Sequence, residues 1–120
     1  MDASFDSVFA RLRGLLEPHA PRFTVTADEP GYYCLNLDYS PKLKKGFPVA
    51  WVKTVKGYVG YHFMPVYMMP GLKEGMSDEL EARMQGKSCF KFKTVDEALF
   101  SELEKLTAEG FAACRKAGFV

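Results

Sequence analysis

Between residues 22 and 64 the chain alternates apolar and polar side chains in four successive runs separated by short turn signals. "RFTVTA" and "YYCLNLDY" are joined by "DEPG", in which Pro30-Gly31 suits a tight turn. "PVAWVKTV" and "YVGYHFM" are joined by Lys56-Gly57. Period-two alternation puts successive side chains on opposite faces of a strand, and turns this short return the chain beside itself. The pattern therefore dictates consecutive antiparallel strands, with "SPKLKKG" as the loop between the two hairpins. Pro65 and Pro70 end the pattern, because proline cannot donate to a ladder.

The flanks have helical period. Phe5, Val8, Phe9, Leu12, Leu15 and Leu16 form one apolar stripe, with Ser4 as a cap and Pro18 and Pro21 closing the segment. Downstream, "SDELEARM" reads as a short helix capped by Ser77 or Asp78, and "SCFKF" as a fifth strand. The last helix starts at "TVDE", where Thr94 and Glu97 form a capping box, and its stripe is Val95, Leu99, Leu103, Leu106, Phe111 and Cys114. The expectation is a single α+β domain over residues 1–120. It has an antiparallel sheet of about five strands, with the N-terminal and C-terminal helices packed on one face.

Alternation also assigns the faces. Tyr33, Leu35 and Leu37, then Ala50, Val52 and Thr54, then Val59, Tyr61 and Phe63 form the set expected under the helices. The opposite set is Tyr32, Cys34, Asn36 and Asp38, then Trp51 and Lys53, then Tyr58, Gly60, His62 and Met64. Its mixture of rings, amide, cation and thiol is that of a half-exposed sheet face.

Charge and motif content exclude several chemistries. A net charge of +1 supplies no basic footprint for nucleic acid. No apolar run approaches the roughly eighteen residues of a membrane span, and "MDASFDSVFARLRG" lacks the apolar core of a signal peptide. Three cysteines, Cys34, Cys89 and Cys114, have no short spacing, which suits free thiols in a reducing cytoplasm. CxxC, HxxxH, GxSxG, P-loop, GxGxxG and HExxH patterns are all missing, so no cofactor and no resident metal is expected.

Within the candidate residues, His62 is either a half-exposed histidine among aromatic neighbours or the base of a Cys34 nucleophile. Met64, Met68 and Met69 suit core filling or a groove wall better than a soft-metal site. Lys42, Lys44 and Lys45 form a solvated basic loop, and Asp2, Asp6, Glu17, Asp28 and Glu29 are dispersed acids.

At "KGYVGYHFMPVY", followed by "LKEGMSDELEARMQGKSCFKFKTVDEALFSELEKLTAEGF", the chain resembles the bacterial YdhG-like domain family. The resemblance implies a small, usually cytoplasmic α+β domain with an antiparallel sheet. Some relatives are described as frataxin-like iron chaperones that deliver iron to cluster or haem assembly. That branch carries a K-x-H pattern where this chain has Lys56, Gly57 and Tyr58. Frataxin-type binding uses an acidic first helix where this chain has Arg11 and Arg13.

Three functional readings follow. The first is a non-enzymatic cytoplasmic domain that binds a small molecule or protein through Tyr32, Asn36, Trp51, Lys53, Tyr58 and His62. A second copy of the chain is among the partners such a face admits. The second is an iron chaperone using Asp2, Asp6 and Glu17, and the third is a thiol-dependent enzyme using Cys34 and His62.

Overall fold

The computed structural model describes residues 3–119. Helix α1 (Ala3–Leu16) leads through a 3-10 segment (Glu17–Arg22) into β1 (Thr24–Glu29), β2 (Tyr32–Ser40), β3 (Lys45–Val55) and β4 (Tyr58–Phe63). A short helix α2 (Met64–Met68), a 3-10 segment (Pro70–Gly75) and α3 (Asp78–Glu81) follow. Then come β5 (Met84–Gln85), β6 (Cys89–Phe92) and α4 (Glu97–Lys116). Every neighbouring pair in the sheet is antiparallel, in the order β1-β2-β3-β4-β6-β5. The fold is α+β, as its sequence pattern dictates, with six strands, slightly more than the expected count of about five.

The turns at Gly31 and Gly57 have φ of 79° and 100°, a left-handed region that glycine enters without a Cβ penalty. Pro48 stands inside the central strand β3, where it cannot donate to a ladder. The register accommodates it with a bulge: Leu35 pairs with Ala50 while Asn36 pairs with Pro48, so Val49 is the extra residue. Val49 is fully buried.

The core lies on one side of the sheet. Leu35, Val52, Val59, Tyr61, Phe63, Phe90 and Phe92 meet Val8, Leu12 and Leu16 of α1 and Phe100, Leu103 and Phe111 of α4. Phe63 packs edge-on to Phe111 with centroids 5.1 Å apart, and Phe92 to Phe100 at 5.0 Å. Burial of each such side chain contributes about 1.5–3 kcal/mol. Both terminal helices thus cover the same face.

Four local expectations are corrected. Ser4 lies within α1 rather than before it. Met64 leaves the strand to open α2, because Pro65 fits an initial helical turn whose N–H groups lack partners anyway. The "SDELEARM" helix stops at Glu81, and Met84 enters the sheet as β5. The cap of α4 is Asp96, whose Oδ1 accepts from the Leu99 amide at 3.1 Å, not Thr94. Glu97 is therefore the first helical residue, too early to reach back to a cap amide. It pairs instead with the Arg11 guanidinium, Nε donating to Oε2 at 2.9 Å. Val95, left outside the helix, is exposed. Ser77 does cap α3, accepting from the Leu80 amide at 3.1 Å.

Candidate functional site

On the face opposite the helices, side chains line up in rows across the strands. One row runs Ala27, Cys34, Trp51, His62, Cys89 and Gln85 from β1 to β5. The adjacent row runs Glu29, Tyr32, Lys53, Gly60 and Lys91. Tyr32, Trp51, Tyr58, His62, Cys89 and Lys91 are half-buried and Lys53 is exposed, so the face remains accessible.

The centre of the first row is an aromatic pair. Trp51 and His62 are register partners, and directly opposed residues on one face bring their side chains into contact. Their rings stack with centroids 4.5 Å apart and planes 8° apart. On the other side of His62, Cys89 Sγ lies 3.7 Å from Nε2. Burial, then the charge of Lys53, pushes the imidazole below its ordinary pKa. Burial pushes the Cys89 thiol up, against a smaller opposite pull from Lys91. Both directions favour a neutral imidazole beside a neutral thiol.

The second row carries cations on rings. Lys53 Nζ lies 5.1 Å from the Tyr32 ring centroid, and Lys91 Nζ lies 4.2 Å from that of Tyr58. Among the described residues neither ammonium has a carboxylate partner within 4.0 Å. Burial, then Cys34 and Glu29, raises the Tyr32 phenol.

Five of the six candidate residues thus share one surface around Gly60 and the stack. Asn36 is on the same face but committed elsewhere: its Nδ2 donates to Asp38 at 3.2 Å, beside a Thr24 hydroxyl that donates to the same carboxylate at 2.6 Å. The Cys34 and His62 pairing is corrected by register. Trp51 stands between them, Cys34 is buried, and the thiol beside His62 is Cys89. Cys89 and Lys91 are members of the site that were missed, although alternation in "SCFKF" separates them from Phe90 and Phe92.

The acids lie elsewhere. Asp2 is outside the described residues. Asp6 is exposed on α1, and Glu17 sits 3.5 Å from Arg13, whose other arm holds Asp28 at 2.8 Å. Among the described residues no three His, Cys, Asp or Glu side chains are grouped so as to hold a metal ion. Met64 and Met68 serve as a groove wall. With Leu43, Lys45, Phe47, Tyr67 and Phe119 they line an apolar concavity of about 280 Å³. Among the described residues no helix is long and apolar enough to cross a membrane. No family model matches the chain, and no curated protein or solved structure is significantly similar to it.

Proposed function

We propose that this is a cytoplasmic binding domain, not an enzyme, and that its open sheet face takes a small molecule. The observation that carries the reading is the stacked Trp51–His62 pair, bordered by Tyr32, Lys53 and Tyr58 and left accessible by helices that pack only on the other side. Aromatic rings beside a few placed polar groups are the usual make-up of a ligand surface. The neutral Cys89–His62 pair lacks the depressed thiol that nucleophilic catalysis needs, which supports binding over chemistry. Three free thiols support a reducing compartment. Kinship with YdhG-like domains is part of the same proposal, supported by the order of helix, hairpins and helix.

The test is a screen of small planar compounds followed by the NMR shifts of the Trp51 indole, His62 and the Tyr32 and Tyr58 rings. Saturable shifts at these groups are expected. Hits confined to the Phe47, Tyr67 and Phe119 groove would overturn the reading. So would a concentration-dependent dimer that buries Trp51.

A further inference from the structure

Gly60 sits at the crossing of the two interactions just described. Across the strands its register partners are Lys53 and Lys91, and along its own strand its same-face neighbours are Tyr58 and His62. A Cβ at this position would lie 3.0 Å from His62 Nε2 and 3.4 Å from Tyr58 Cε1. The missing side chain is what lets the imidazole edge and the phenol ring converge between the two lysines. Adjacent strands are about 4.8 Å apart, so the two lysine backbones are about 10 Å apart on either side of the Gly60 backbone.

We propose that the point above Gly60 is an anion-binding site, taking the carboxylate or phosphate of a small aromatic ligand. This rests on the open-face reading and specifies its occupant. The Lys53 and Lys91 ammoniums and the imidazole Nε2 supply the donors, and Tyr58, Tyr32 and Trp51 supply the apolar rim. A surface lysine is ordinarily a solvated charge, and here each already rests on a ring. What distinguishes this pair is that the two lysines flank one residue in register, without a carboxylate between them. Of the acids on this face, Asp38 is held by Thr24 and Asn36, and Glu29 stands at the far end of its row, beyond Tyr32. Charge complementarity therefore selects an anion. It disfavours a metal cation at Cys89 and His62, which would share the face with two ammoniums.

The probes are 2-naphthoate, 2-naphthyl phosphate and the neutral 2-naphthamide, followed by NMR shifts of the Trp51 indole and His62. Both anions should bind at least about tenfold more tightly than the amide, as expected for one or two charge-assisted hydrogen bonds. Lys53→Gln and Lys91→Gln should each weaken the anions about tenfold more than they weaken the amide. Gly60→Ala should weaken the anions too, although it removes no charge, because its methyl displaces Nε2. Lys53 is exposed, so its variant folds even if Gly60→Ala does not. Equal affinity for amide and anions at Trp51 would overturn the anion site and leave the open-face reading standing. Anion binding indifferent to both lysine variants would also overturn it. If no probe shifts Trp51 or His62, both readings fail together.

Discussion

The imidazole of His62 lies parallel to the indole of Trp51 at 4.5 Å, and the stack shields it while Lys53 repels its proton. His19 is in a comparable state, 4.9 Å from the Phe111 ring and lowered by burial and then by Arg22. In the unfolded chain both histidines return to about 6.5, so unfolding takes up protons below that value. Their contribution to stability is complete above about pH 6.5 and is lost as pH falls through 6.5 towards the lower folded values. The urea midpoint should therefore drop between about pH 7.5 and 5.5, a window above the carboxylate range. The double variant His19→Gln/His62→Gln should flatten that slope. A midpoint that climbs on acidification would mean the imidazoles gain partners on folding rather than losing water.

Most of the meander was legible because its strands alternate. One face of Val59, Tyr61 and Phe63 is buried, and the other carries Tyr58 and His62. What was illegible depended on register or on very short elements. A two-residue strand such as Met84–Gln85 has no period to detect, and the proline that ends a strand pattern at Pro65 also suits the start of a helix. Alternation shows that Cys34 and His62 share a face. It cannot show that β3 runs between them and seats Trp51 in the gap, which follows from strand order alone. Asp96 was overlooked because Thr94 and Glu97 have capping-box spacing, whereas the helix begins two residues later than that box requires.

Thiol labelling tests the placement of the three cysteines. Cys34 and Cys114 are 3% and 0% exposed, whereas Cys89 is half-buried on the open face. Iodoacetamide should modify Cys89 first, slowly at neutral pH, with a rate still rising beyond the ordinary thiol value of about 8.5. Cys114, pushed up to about 11 by burial, should react only on unfolding. Mass mapping that finds Cys34 modified first, or a rate already at its plateau near pH 6, would restore an activated thiol.

Between the sheet and α4 the Tyr61 hydroxyl meets Thr107 Oγ1 at 2.6 Å, and that oxygen donates to the Leu103 carbonyl at 2.7 Å. Because the threonine proton is committed to the carbonyl, the phenol is the donor. Both groups are fully buried, and burial raises the phenol. Tyr61→Phe removes a donor and leaves Thr107 still bonded, at a cost of about 0.5–1.5 kcal/mol. Thr107→Val leaves a buried hydroxyl with no acceptor, at about 1–3 kcal/mol. Chemical denaturation should rank Thr107→Val as the worse of the two. The reverse order would mean that the phenol finds another acceptor.

Glycine-to-alanine substitution should have opposite signs in the two long helices. At Gly14 of α1 an added Cβ meets nothing within 4 Å, so the gain in helix propensity, about 0.8–1.0 kcal/mol, is unopposed and Gly14→Ala should stabilise. At Gly110 of α4 the Cβ would lie 2.5 and 2.6 Å from the Phe63 ring and 3.2 Å from Pro65. That ring is fully buried and fixed edge-on against Phe111, so it has nowhere to turn. Overpacking of this kind costs about 1–3 kcal/mol, enough to overcome the propensity gain over most of that range. Gly110→Ala should thus lower the denaturation midpoint while Gly14→Ala raises it. Shortening the opposing ring should relieve the clash. Gly110→Ala combined with Phe63→Leu is expected to be more stable than the sum of the single changes by at least about 0.5 kcal/mol. Strict additivity would show that α4 does not approach the sheet at Gly110 as closely as these distances require.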